Sequence, residues 1–289
     1  MHAITKSLLR IGVSVAIILA VASCNQKKDL VTEIHEYSDS TAHSYLKMYV
    51  ELPVASKGVQ STIRGQLIKL LDERLSHITT YEDERFYAPY EGDTDDTGKL
   101  LAYYQEQSLA VIGKMSQEDA DERAKYSEAE EWEAPSWEYD FSLKKIVETD
   151  GYAVFQSQDY IYMGGAHGGV TGAGYLTFDK KDGHLVDPVI DPSQVETMQP
   201  LLVKGLVDYY KGFDEIIPPE ELKDHLMIDG DIIPLPSWNP FPDGNGGLVF
   251  TYQQYEIASY AEGMPSFTIP VGEVAEFLTK DARRLVTGY

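Results

Sequence analysis

Two runs of alternating side chains meet at a dipeptide that turns the chain back on itself. Residues 137–147, "WEYDFSLKKIV", put Trp137, Tyr139, Phe141 and Leu143 at every second position, the period of a strand with one buried face. Residues 151–163, "GYAVFQSQDYIYM", follow directly across Asp150-Gly151, a pair suited to the positive φ of a tight hairpin turn. A third strand, "GYLTFDKKDGHLVDP", turns at Lys180–Gly183, with Gly183 supplying positive φ. Between the last two lies Tyr162–Tyr175, "YMGGAHGGVTGAGY", with six glycines around His167.

The flanking segments add helices to this antiparallel nucleus. "YLKMYVELPV" alternates Leu46, Met48, Val50, Leu52 and Val54 as a half-buried strand. "STIRGQLIKLLDERLSHI" sets Ile63, Leu67, Leu70, Leu71 and Ile78 on one helical stripe, with Ser61 or Thr62 as cap. Leu101, Tyr104, Ser108, Ile112 and Met115 follow at the same spacing, and the acidic continuation "SQEDADERAKYSEAEEWE" reads as a solvated helical extension or loop. Further on, "SQVETMQPLLVKGLVDYYKGF", "PPEELKDHL" and "GEVAEFLTKDARRL" read as helices, and "GGLVFTYQQYEIASYAEGMPSFTIP" as paired strands. Strands in hairpin clusters with helices inserted predict an α+β class, two subdomains with antiparallel sheets packed by helices.

The N-terminus stands apart. Lys6 and Arg10 precede an apolar run, and Val21-Ala22-Ser23-Cys24 ends it. This is the layout of a secretory leader, and its end resembles the bacterial lipobox, in which the cysteine is lipidated and becomes residue one. Cys24 is the chain's single cysteine, so no internal disulfide forms. Asn25 rather than aspartate follows, which points to a cell-envelope protein anchored at the outer membrane. The expected organisation is a signal peptide at 1–23, a tether at 24–43, an N-terminal α+β module at 44–149 and a C-terminal α+β domain at 150–289. The net charge of −23 becomes −25 once the two leader cations, Lys6 and Arg10, are removed. Such a surface repels nucleic-acid phosphates and steers cationic partners inward.

Familiar chemistry is absent by spacing. "AHGG" suggests an esterase oxyanion loop, but no G-x-S-x-G nucleophile elbow accompanies it. "GDTDDTGK" has five residues between Gly92 and Gly98 where a P-loop has four, and Leu100 stands where the magnesium-holding hydroxyl belongs. Asp93, Asp95 and Thr97 open like a calcium loop, yet its twelfth position is Tyr104, so a helix-leading turn is expected. The histidines show no ligand spacing, and Asp182 with His184 reads as a turn rather than a ligand set. Neither a cofactor nor a metal is expected. For His167 the reading is a structural pin first, a ligand contact second and a reactive group third.

Three separated blocks then carry a resemblance. Tyr162, Gly164, Gly165, Ala166 and His167, then Phe178, Asp179 and Gly183, then Tyr255, Glu256, Ile257, Tyr260 and Ala261 resemble the C-terminal domain shared by RsiV-type anti-sigma factors and PdaC-type peptidoglycan deacetylases. The likeness covers about residues 150–284, and residues 44–149 look like the smaller module that precedes this domain in PdaC-like proteins. It implies an envelope-facing, non-catalytic module, which in the anti-sigma factors binds lysozyme and in the deacetylases accompanies a separate catalytic domain. With no cytoplasmic segment before the leader and no deacetylase domain after Tyr289, neither whole-protein activity is expected. The expectation is a lipoprotein held at Cys24 that binds a peptidoglycan fragment or a cationic protein such as lysozyme. Its candidate binding residues are Tyr162, Gly164, Gly165, His167, Tyr255 and Tyr260. Two alternatives stand beside it: a glycan hydrolase using His167 with Glu256 or Asp179, and a structural subunit of an outer-membrane complex.

Overall fold

The computed structural model describes residues 13–15, 29–54, 57–78, 85–126, 136–165, 168–213 and 216–287. Cys24, Ala166 and His167 lie outside the described residues. The larger sheet has the order β1-β2-β3-β4-β5-β6. Its strands are β1 (Val13–Val15), β2 (Thr32–Ser40), β3 (Ser44–Pro53), β4 (Trp137–Glu148), β5 (Tyr152–Tyr162) and β6 (Val170–Asp179). β1 is three residues long, so five strands form the body of the sheet.

The alternation read from sequence sets which face is covered. Trp137, Tyr139, Phe141 and Leu143 of β4 are all buried, as are Leu46, Met48, Val50 and Leu52 of β3, while Val54 beyond the strand is exposed. Each such side chain removed from water contributes about 1.5–3 kcal/mol. The hairpin at Asp150-Gly151 forms, with Thr149 N–H donating to Tyr152 O at 2.9 Å.

Against that face pack α1 (Val59–Ser76) and α2 (Thr97–Ala124). α1 buries Ile63, Leu67, Leu70, Leu71 and Leu75. It starts one turn earlier than Ser61 or Thr62 would dictate, with Gly58 at the N-cap position. Thr62 Oγ1 instead donates back to Gly58 O. Arg64 sits on the same buried stripe, donating to Pro53 O at 2.9 Å and Thr94 O at 2.8 Å and pairing with Glu33 at 3.3 Å. The guanidinium thereby satisfies loop carbonyls that would otherwise be stranded in the core. α2 is capped by Asp96, which accepts from Lys99 N–H at 3.1 Å, so the "DTDD" run is a helix-leading turn. The acidic continuation is helical as far as Ala124.

All strand pairs are antiparallel except β3 with β4, which is parallel. The chain leaves the sheet after β3, builds both helices, and re-enters at β4; only such a long crossover can return a strand in the same direction. The α+β class holds with that one departure.

Two expected boundaries move. The tether at 24–43 is corrected for Thr32–Ser40, which is strand β2, paired along its whole length with β3. The cut at 149/150 runs through the β4–β5 hairpin inside one sheet. The two apolar cores divide later, one ending at Phe178 and the other beginning at Val186.

The second core is built on β7 (Phe241–Pro242), β8 (Gly247–Thr251) and β9 (Ser266–Pro270), an antiparallel three-stranded sheet. Around it lie α3 (Gln199–Lys211), α4 (Leu222–His225), α5 (Val271–Val274) and α6 (Lys280–Thr287). α3 crosses β9 so closely that a Cβ at Gly205 would overlap the Phe267 ring. The helix expected over "PPEELKDHL" shrinks to α4, because Met227 N–H leaves the helical ladder to donate to Ile257 O at 2.9 Å. The single closing helix is likewise split. Leu278 bridges to Ile190 and Thr279 N–H donates to Val189 O at 3.0 Å, pulling the backbone out of register between α5 and α6. Among the described residues no helix is long and apolar enough to cross a membrane.

Candidate functional site

The glycine-rich run is the far end of the β5–β6 hairpin. Ile161 faces Val170, so the connection spans residues 162–169. Gly164 and Gly165 adopt φ of 73° and 138°, values that side chains disfavour. Tyr162 OH donates to Gly165 O at 3.4 Å.

The remaining glycines answer to space rather than to φ. A Cβ on Gly168 would strike the Tyr260 hydroxyl, and one on Gly169 would strike the Tyr160 ring. On β6, Gly172 leaves room for the Arg74–Asp159 ion pair, and a Cβ at Gly174 would lie 2.8 Å from the Trp238 ring. Glycine at alternate strand positions marks a face that another body approaches closely. At Gly172 it is Arg74 of α1 paired with Asp159, and at Gly174 it is the Trp238 ring from the connection between α4 and β7.

β6 is the edge of the large sheet, and side chains rather than a strand cover its free backbone groups. Gln253 Oε1 accepts from Ala173 N–H at 2.7 Å, while its Nε2 donates to Ala173 O at 2.9 Å. Gln254 Oε1 accepts from Thr171 N–H at 2.7 Å, and Tyr260 OH donates to Gly169 O at 3.0 Å. Two amide side chains thus mimic a strand and block further pairing at this edge. Glu256 holds the covering loop in shape, accepting from Ser237 N–H at 2.6 Å and from Gln253 N–H at 2.7 Å. The turn that follows is locked by a reciprocal Ser259–Glu262 capping box, and Glu262 also meets His225 Nε2 at 2.9 Å.

Tyr255 projects from this loop. It is the one non-glycine residue at positive φ among those described, at 63°, and is 51% exposed. Its ring lies 5.9 Å from that of Tyr260. Beneath, Arg74 pairs with Asp159 and lies 5.4 Å from the Trp238 ring. Burial raises the Asp159 pKa, and the adjacent Arg74 only partly opposes it.

Of the expected binding residues, Tyr255 and Tyr260 lie side by side on the covering loop, and Tyr260 reaches Gly169 of the connection that also holds Tyr162, Gly164 and Gly165. His167 belongs to the same connection but falls outside the described residues. Asp179 is not brought there. It ends β6, nine residues beyond Val170, which at strand rise is roughly 30 Å away. It is 2% exposed and pairs with Arg284 at 2.5 Å. Glu256 is close, but both its oxygens accept backbone N–H groups.

Asp182 and His184 differ from a bare turn in that Asp179 joins them, one ligand atom from each lying within 4.8 Å of the others. Its ligand atoms already have partners within the protein: Arg284 holds Asp179, and His184 Nδ1 lies 2.6 Å from Asp182. Sequence reasoning missed Gln253, Gln254, Trp238, Arg74 and Asp159. The available signal was Gly172 and Gly174 at alternate positions of one strand.

A family model described as "Protein of unknown function (DUF3298)" matches residues 228–272. That segment contains Trp238 and the whole covering loop with Gln253, Gln254, Tyr255 and Tyr260. No curated protein matches the chain. Among solved structures, the chain is similar to a DUF3298 family member from Bacteroides fragilis, with a TM-score of 0.64 and 17% identity over 90% of this chain and 97% of that one. It is also similar to a DUF3298 family protein from Pseudomonas aeruginosa PAO1, with a TM-score of 0.57 and 15% identity over 88% and 96%. At those identities the likeness is one of fold, and the fold described above is the one these DUF3298 structures share.

Proposed function

We propose that this chain is a non-catalytic binding protein of the cell envelope, lipidated at Cys24, outer-membrane anchored, with a cationic protein such as lysozyme as its partner. The observation that carries the reading is Tyr255, a half-exposed aromatic at φ 63° beside Tyr260 over the glycine connection. Backbone held in this region costs of order 1–3 kcal/mol and concentrates at binding sites. Tyrosine presents a large, stiff contact surface with a polar tip. The net charge of −23 supports a cationic partner, as does the resemblance to RsiV-like and PdaC-like C-terminal domains. The polar groups around the site are engaged in holding the loop, which favours recognition over acid–base chemistry.

A second reading, a peptidoglycan-related glycan as ligand, is favoured by the same exposed ring, since tyrosine faces suit sugar stacking. Calorimetric titration of lysozyme and of muropeptides, each at low and moderate salt, separates the two. Lysozyme binding that weakens with salt and is lost in Tyr255→Ala supports the proposal. Muropeptide binding alone moves it to the second reading, and binding of neither rejects both. Mass spectrometry of the membrane-extracted chain tests the anchor: the mature protein begins at an acylated Cys24.

A further inference from the structure

The two edges of the large sheet are treated differently. At β6 the outward backbone groups are met by Gln253, Gln254 and Tyr260. At the opposite edge, all nine residues of β2 pair with β3 on the inner side. On the outer side only Glu36, Tyr37 and Ser38 are paired, with Val15, Ser14 and Val13 of β1. No side-chain cap comparable to the glutamines covers the rest of β2 among the described residues.

β1 lies within the segment read as a leader. Removing residues 1–23 strips β2 of the one strand that pairs with it on that side among the described residues, and leaves a nine-residue edge. The register of β1 shows that this edge accepts an added antiparallel strand. We propose that, in the processed chain, the outer edge of β2 is a site of strand addition for an extended, basic segment of another protein. The proposal rests on the leader-removal part of the functional reading above.

Charge selects the occupant. Glu36 is exposed at the centre of the edge, and the body behind it carries a large negative charge. A lysine or arginine side chain on the same face of an added strand meets this acid. A second copy of the chain brings the same excess of negative charge to the contact and is repelled. Main-chain hydrogen bonds supply the attachment in such complexes, and alternate side chains supply selectivity.

The test uses the chain from Asp29 onward, which keeps every residue of both cores; circular dichroism and a cooperative melt establish its fold first. The probe is a synthetic peptide of alternating valine and lysine matched to the length of β2. Fluorescence anisotropy reads affinity, and amide hydrogen exchange reads location. Expected is slowed exchange confined to the β2 region. An alternating valine–glutamate peptide binds roughly tenfold or more weakly, and a central proline abolishes binding. Glu36→Lys, a change at an exposed position, reverses the preference between the two charged peptides. Protection elsewhere, no protection, or indifference to peptide charge overturns the proposal. So does concentration-dependent self-association that protects β2 without peptide, which would assign the edge to a second copy. A membrane-extracted chain whose mass retains residues 1–23 would refute leader removal separately, because the peptide measurements do not depend on it.

Discussion

Replacing Gln253 with alanine tests whether the covering loop seals the sheet. The side chain makes two bonds to one residue, accepting from Ala173 N–H at 2.7 Å and donating to Ala173 O at 2.9 Å. Ala173 is 3% exposed, so its backbone groups have little access to replacement water. A buried polar group deprived of its partner costs about 1–3 kcal/mol. With two groups affected and partial wetting of the shortened site, Gln253→Ala destabilises by about 2–3 kcal/mol. At this chain length that lowers Tm on the order of 4–12 °C. Gln254→Ala removes a single bond to the half-buried Thr171 and costs about 1 kcal/mol. Gln253→Glu discriminates further, since it keeps the acceptor and turns a carboxylate toward Ala173 O. Its cost should equal or exceed that of the alanine change. Urea denaturation measures the global values, and hydrogen exchange at Thr171 and Ala173 measures the local ones. A Gln253→Ala penalty below about 0.5 kcal/mol, or unchanged exchange at Ala173, would refute edge sealing.

Other outcomes follow from the same geometry. Gly174→Ala places a Cβ 2.8 Å from the Trp238 ring and destabilises by about 1–3 kcal/mol through overpacking, with a shift in tryptophan fluorescence as the ring moves. Tyr255→Gly relieves the φ of 63°; denaturation should show stability unchanged or raised by about 1 kcal/mol, while lysozyme titration shows lost binding. Burial penalises charged Glu148, but hydrogen bonds from Lys145, Lys180 and Leu30 N–H outweigh it and leave the pKa below 4.5. Its stabilisation is therefore complete above pH 4.5 and drains as pH falls through the lower folded value, so Glu148→Gln flattens the acid limb of a pH–stability curve. Asp159 has the opposite sign: burial raises its folded pKa above 3.8 despite Arg74. Its share of stability declines as pH rises through that window, and Asp159→Asn removes this decline in the same measurement.

What the sequence disclosed and what it hid divide along range. The β4 alternation, the α1 stripe and both turns are short-range patterns, and each is present in the fold. β2 escaped notice because its inward-facing positions are Glu33, His35, Tyr37 and Asp39, of which Glu33 pairs with Arg64 and only Tyr37 packs against the apolar core. A strand whose inward-facing side chains are mostly polar carries no apolar period to read. The parallel pairing of β3 with β4 and the glutamine cover on β6 join residues 80 or more positions apart, beyond the reach of local propensity. Asp179 lies at the far end of β6 from the glycine connection, a separation set by strand length that no local motif announces. The bond from Tyr260 to Gly169 ties together two of the blocks that resemble a known domain. Composition alone does not join them.

The parallel pair also sets an order of assembly. β4, β5 and β6 are joined by short connections and can zip sequentially, as can β2 with β3. Seating β3 beside β4 closes a loop containing everything from Val54 to Ser136, whose entropy must be spent before any ladder bond forms. α1 and α2 shorten that loop by folding against the nascent halves. Refolding should consequently pass through a stage in which two pieces of one sheet exist unjoined, with helix packing as the step that brings them together.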